Sequence, residues 1–276
     1  LEPSFGYATS WADFPRWTGT SFTLTQTRAI VVVAYGSRFQ AAISQRYVWV
    51  RLVVVNSGGV ETEIAQTTVG SSDGWWLRAV SLHGAISSLA AGTYTAKMQY
   101  RLHTSGSYVQ FASESHSHSG GEQHRRITVL PILTTELATQ HTDSEAVTGS
   151  STIWADMPTT SLTTSFTISE ARAIVVMVYV SRFQSSSWPT VVDLRLLVGA
   201  TVVATQTHGF SSSYWFQSAS MHGTLSELAP GTYAATLQYK VSSGSVTFKD
   251  DSSGYQHRRI TVLMLPLPPA PPPWPP

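Results

Sequence analysis

The sequence predicts an all-β chain of two tandem antiparallel β-sandwich domains of jelly-roll type, on three observations: a long internal repeat, a hydrophobic period of two, and turn residues spaced along both copies. The repeat is read first. Trp11-Ala12-Asp13-Phe14-Pro15 returns as Trp154-Ala155-Asp156-Met157-Pro158, and Arg28-Ala29-Ile30-Val31-Val32 returns as Arg172-Ala173-Ile174-Val175-Val176. Ser37-Arg38-Phe39-Gln40, His83-Gly84, Gly92-Thr93-Tyr94 and Gln99-Tyr100 recur in the same order as Ser181-Arg182-Phe183-Gln184, His222-Gly223, Gly231-Thr232-Tyr233 and Gln238-Tyr239. Each copy closes on the same octapeptide, Gln123 to Leu130 and Gln256 to Leu263. The spacing between copies shortens only across loops, where deletions are tolerated.

Within a copy, Tyr94, Ala96, Met98, Tyr100 and Leu102 alternate with Thr93, Thr95, Lys97, Gln99 and Arg101, the pattern of a half-buried strand. Ala29 to Tyr35 is instead a continuous apolar, β-branched run, suited to a strand buried on both faces. Turn residues at Asn56-Ser57-Gly58-Gly59, Ser72-Asp73-Gly74 and Ser105-Gly106-Ser107 separate such runs and imply about eight strands per copy, the size of a two-sheet jelly roll, with an immunoglobulin-like sandwich as the alternative. No stretch carries the apolar stripe of a helix; the nearest, Thr135 to Glu145, is short and polar. The domain division expected is 1–130 and 152–264 for the two sandwiches, an extended connector over 131–151, and a tail over 265–276.

Composition limits the function. Charged residues are 12% of the 276 positions, about half the ordinary share, and about a quarter of the residues are Ser or Thr, as expected for outward strand faces and for O-glycosylation. A net charge of +1 supplies no field to attract nucleic acid or an anionic membrane, and no apolar run reaches the roughly 20 residues of a membrane-spanning helix. Cysteine is absent, which removes disulfides and thiolate metal sites. The chain begins at Leu1, as it would after removal of a signal peptide, and extracellular localisation is the expectation.

The segment Ala91-Gly92-Thr93-Tyr94 through Gln99-Tyr100-Arg101, with the closing Arg-Ile-Thr-Val-Leu pattern, resembles the last strands of jelly-roll domains of the complement-globular (C1q) and tumour-necrosis-factor type. Two such domains with a proline tail also resemble subunits of extracellular glycosylated fibrils. Neither resemblance brings catalytic residues with it.

The candidate sites are few. Leu265 to Pro276 contains Pro266, Pro268, Pro269, Pro271, Pro272, Pro273 and Trp274; proline fixes φ and lacks the N–H, so the tail is expected as a polyproline II rod able to dock on a partner. Trp75, Trp76, Tyr214 and Trp215 could stack on sugar rings or fill the core. His116 and His118, with His124 nearby, form the one cluster dense enough for a metal, but the second copy replaces it and a polar loop is preferred, so no metal and no cofactor is expected. His83/His222 and Asp13/Asp156 recur without a nucleophile or second acid at useful spacing, so no catalysis is expected. The expectation is a self-assembling structural subunit whose partner is itself, with bound or covalent glycans; the alternative is a carbohydrate-binding adhesin using the exposed Trp and Tyr side chains.

Overall fold

The computed structural model describes residues 4–14, 19–41, 46–71, 78–102, 109–111, 125–143, 146–158, 162–187, 189–210, 217–248 and 258–267. The first copy forms β1 (Ser4–Gly6), β2 (Ala12–Asp13), β3 (Thr20–Leu24), β4 (Arg28–Ala41), β5 (Arg46–Asn56), β6 (Glu61–Ser71), β7 (Arg78–Leu89), β8 (Gly92–Leu102), β9 (Val109–Phe111) and β10 (Arg125–Ile132). After a 3-10 turn at Thr134–Glu136 come β11 (Leu137–Asp143), β12 (Val147–Gly149), β13 (Ala155–Asp156), β14 (Thr163–Ile168), β15 (Arg172–Ser185), β16 (Thr190–Val198), β17 (Thr201–Phe210), β18 (Gln217–Leu228), β19 (Gly231–Val241), β20 (Val246–Phe248) and β21 (Arg258–Pro266). All the strand pairs are antiparallel.

These strands make four sheets. Sheet I holds β2 and β3 against β8, then β5 and β6; sheet II holds β7 against β4, with β10 and β9 on the other side of β4 and β1 on β9. Sheets III and IV repeat II and I in the second copy: β18 pairs with β15, β15 with β21 and β20, and β14 and β13 pair with β19, followed by β16 and β17. Sheets III and IV together have the two-sheet order of an eight-strand jelly roll, β11-β21-β15-β18 facing β14-β19-β16-β17. The strands counted exceed eight because pieces as short as Ala12–Asp13 and Ser4–Gly6 pair separately.

One part of the connector differs from its sequence reading. Residues 137–143 pair along β21 and residues 147–149 along β20, so they are strands of the second sandwich and not a tether. A polar strand at the margin of a sheet is held by main-chain bonds, which its composition does not report.

Each sandwich has its own core. Ile30, Val32 and Ala34 of β4 meet Val50, Leu52, Ala96, Met98 and Tyr100 in the first, and Ile174, Val176 and Val178 of β15 meet Leu194, Leu196, Ala235, Leu237 and Tyr239 in the second. The repeated motifs are the devices that fix these layers. Tyr94 Oη donates to the Ala90 carbonyl at 3.0 Å and stacks on Phe22; Tyr233 Oη donates to the Ala229 carbonyl at 3.0 Å beside Phe166. This tyrosine bracing explains the recurrent Gly-Thr-Tyr. The β5–β6 turn follows its sequence as well, with the Asn56 side-chain oxygen accepting from the Gly58 and Val60 N–H groups at 3.0 Å each, and Gly59 at φ 81°.

The His-Gly repeat marks a close approach between the two sheets of each sandwich. A Cβ on Gly84 would lie 2.4 Å from the Ile64 carbonyl oxygen, and one on Gly223 would lie 2.5 Å from that of Val203. Backbone cannot yield as a side-chain tip can, so Gly84→Ala and Gly223→Ala are each expected to cost about 1–3 kcal/mol. Urea denaturation midpoints of the two variants check this; unchanged midpoints would show that the β6–β7 and β17–β18 margins can open without loss.

Candidate functional site

The two copies are joined by a buried surface between sheets II and III. Ala29 and Val31 of β4, Ala85 of β7, Ile132 of β10, Leu137 of β11, Met177 of β15 and Leu263 of β21 form a third apolar cluster, with Val33, Val175 and Leu265 packed against it. Ala29 and Val31 are 0% exposed, as are their inward neighbours Ile30 and Val32, so β4 is buried on both faces as its sequence predicts. Each fully buried Val, Ile, Leu or Met side chain contributes about 1.5–3 kcal/mol, so the joint is a packed core and no loose hinge.

Polar residues extend the joint along sheet III and the β6 margin. The Tyr179 ring is 1% exposed and packs into the core of the first sandwich, edge-on to His83 at 6.1 Å. Burial drives its phenol pKa far above the usual range. Arg259 is 7% exposed and one guanidinium N–H donates to the Ile64 carbonyl in the other copy, with Glu63 opposing the effect of burial on its charge. Ser81 Oγ meets its own counterpart, Ser220 Oγ, at 3.3 Å. The second arginine of the closing octapeptide, Arg259, therefore satisfies a main-chain carbonyl across the joint.

The joint treats equivalent residues unequally. Tyr179, Arg259 and His83 are buried in it; their counterparts Tyr35, at 39%, Arg126 and His222 are exposed. The second sandwich thus offers a face that the first offers unused, and the first offers a margin that the second offers unused.

A second recurrent cluster lies on the outer faces of sheets I and IV. Arg51 stacks on Trp11 at 4.5 Å and donates through Nε to Gln99 Oε1 at 2.7 Å, while Gln99 Nε2 donates to Asp13 Oδ1 at 2.9 Å. Arg195, Trp154, Gln238 and Asp156 repeat this at 4.4, 2.7 and 2.8 Å. Burial alone would raise the Asp13 pKa, but the hydrogen bonds from Gln99 and Lys97 outweigh it and hold the carboxyl below its usual range. The repeated Trp-Ala-Asp and Gln-Tyr motifs are therefore halves of one clasp that ties β2 to β8 and β5, and β13 to β19 and β16. Arg101 also lies over both Trp11 and Trp49, at 5.0 and 4.5 Å, so cations already occupy these ring faces. Arg51 and Arg195 hold the clasp together and were not singled out from the sequence, although both precede a leucine in a repeated strand.

Trp75, Trp76, Tyr214, Trp215, His116, His118, His124 and the tail from Pro268 to Trp274 lie outside the described residues. Pro266 is described: it ends β21 opposite Arg172, exposed. Among the described residues no group of His, Asp and Glu could hold a metal ion.

No family model and no curated protein matches the chain. Among solved structures it is similar to the insecticidal delta-endotoxin Cry8Ea1 from Bacillus thuringiensis, at 11% identity and a TM-score of 0.27, covering 86% of this chain and 53% of that one. It is similar also to the tandem CBM22-1-CBM22-2 domain of Xyn10C from Paenibacillus barcinonensis, at 9% identity and a TM-score of 0.25, covering 93% and 78%. A third is the structure of infectious bursal disease virus Gx strain, at 9% identity and a TM-score of 0.24, covering 89% and 63%. The chain spans about half the length of the endotoxin. Likeness at this level carries no argument about function.

The buried histidine gives the joint a pH dependence. Burial, then the charges of Arg259 and His222, lower the His83 pKa from 6.5 to about 3, and its Nε2 has no hydrogen-bond partner. Between those values the unfolded chain binds a proton that the folded chain does not, so stability is full above pH 6.5 and is lost as the pH falls toward 3. Urea midpoints measured across this range should fall with acidity in the native protein, and His83→Leu should flatten the slope. An unchanged slope in the variant would mean that His83 does not titrate in this window.

Proposed function

We propose that the chain is a structural subunit of an extracellular filament or surface assembly, glycosylated on its Ser- and Thr-rich faces. The observation that supports this most is the unequal joint: equivalent residues are buried in one copy and exposed in the other. A contact between unlike surfaces is head-to-tail, and when repeated between chains it generates an open row wherever the rotation between neighbours does not close a ring. The exposed Tyr35 and Arg126 then stand where Tyr179 and Arg259 stand inside the chain, ready to meet the β17–β18 margin of another subunit with its exposed His222 and Val202.

The packed joint supports the same reading. A filament must carry load through its subunits, and a third apolar core between the two sandwiches couples them more firmly than a polar tether would. The hydroxyl-rich, weakly charged surface suits sugar attachment, and chain-to-chain contacts would then be confined to the faces left bare.

Electron microscopy with image averaging of the purified native protein tests this directly. Regular filaments are expected, with density beyond the polypeptide and an intact mass above 30.0 kDa. Dispersed particles of 30.0 kDa over the micromolar range, binding immobilised glycans, would replace this reading with a monomeric adhesin.

A further inference from the structure

The charges that meet across the joint are unbalanced, and the imbalance centres on one imidazole. Along β7, Val80 and Leu82 point into the first core, while Ser81, His83 and Ala85 point to the second copy. His83 is 3% exposed and lies opposite Val33, on the side of β4 that packs into the joint. A proton on His83 therefore bears on the joint and on neither sandwich core.

The elements packed around β7 present few titratable groups to it. From the second copy, β15 presents the Tyr179 ring, edge-on at 6.1 Å, β21 presents Arg259 and β18 presents His222. In the first copy, β4 places Val33 directly opposite, with the exposed Tyr35 next along that face. β6 carries Glu63, whose charge acts on Arg259, and Glu61, which pairs with Arg51 of β5 on the outer face of sheet I. The two charges that act on the imidazole, Arg259 and His222, thus both belong to the second copy, and both oppose a proton there. A protonated His83 would face a buried guanidinium across the joint with water excluded. Parting the sheets removes both costs at once, because it rehydrates the imidazole and carries it away from Arg259.

We propose that the joint is an acid-operated latch: a proton on His83 parts sheets II and III and leaves two folded sandwiches linked through residues 133–136. The latch needs no polymer, so it stands apart from the filament reading. The connector suits it. Ile132 stays with the first copy through its pairing with Ala29, and Leu137 stays with the second through Leu263. Between them lie Leu133 and the Thr134–Glu136 turn, and an extended chain gains about 3.3–3.6 Å per residue. That reach is enough to open layers packed about 10 Å apart.

The direction follows from linkage. In the parted state His83 has its ordinary value of 6.5, and in the closed state about 3, so closure is full above pH 6.5. Below that it weakens about tenfold per pH unit, roughly two orders of magnitude by pH 4. The clasp outlasts it, since the Asp13 carboxyl is held below its ordinary 3.8 and keeps its charge to that point. Acid therefore reaches the joint before the clasp of the first sandwich.

Small-angle X-ray scattering and far-UV circular dichroism of the dispersed full chain, from about pH 7 to about pH 4, test the latch. The radius of gyration is expected to rise reversibly by at least about a tenth as the pH falls, while the strand signal stays. His83→Leu should stay compact over the same range. The chain has no cysteine, so Ser81→Cys with Ser220→Cys, whose parent hydroxyls lie 3.3 Å apart, supplies a single disulfide across the joint. Its oxidised form should stay compact and its reduced form should expand as the native chain does. A native chain that stays compact to the acid end would overturn the latch. Expansion that coincides with loss of the strand signal, or that His83→Leu shows at the same pH, would overturn it equally. An oxidised double variant that expands like the native chain would place the change outside the joint and do the same.

Discussion

The structure depends on two strands, β4 and β15, that are apolar on both faces. A half-buried strand needs one covering layer; Ala29 to Ala34 and Ile174 to Val180 need two. Inside each sandwich sheets I and IV supply the first layer. Sheets II and III can supply the second only to each other, so the copies stack as four layers with a shared apolar cluster at the centre. The position of Tyr179, the depressed pKa of His83 and the reach of Arg259 to the Ile64 carbonyl all follow from that stacking.

Duplication supplies the material, and the joint breaks its symmetry. Ser81 and Ser220 meet as equals, yet only the second copy inserts its tyrosine and arginine, and only the first buries its histidine. The same inequality appears at the closing strands, where among the described residues β21 has a neighbour on both sides and β10 on one.

Much of the fold was legible in the sequence because strands write a period of two and the repeat writes it twice. The β-branched run from Ala29 identified a strand covered on both faces before its second cover was known. The His-Gly, Gly-Thr-Tyr and Trp-Ala-Asp repeats pointed to conserved geometry within the chain, and each resolves into a close approach, a tyrosine brace or a clasp. The strand over 137–143 was illegible, since Thr, Gln, His and Asp there have the composition of a connector and the bonds that order them are main-chain bonds to β21. The joint was illegible too. Tyr179 and Tyr35 occupy matching positions in matching motifs, and only tertiary packing makes one a core residue and the other a surface one.

The central claim is that the two sandwiches are one cooperative body held by the joint between sheets II and III. Differential scanning calorimetry of the purified chain tests it most directly, by comparing the calorimetric enthalpy with the van't Hoff enthalpy. A single transition with equal enthalpies is predicted. Two resolved transitions, each with the enthalpy of about half the chain, would contradict it and show that the copies unfold independently.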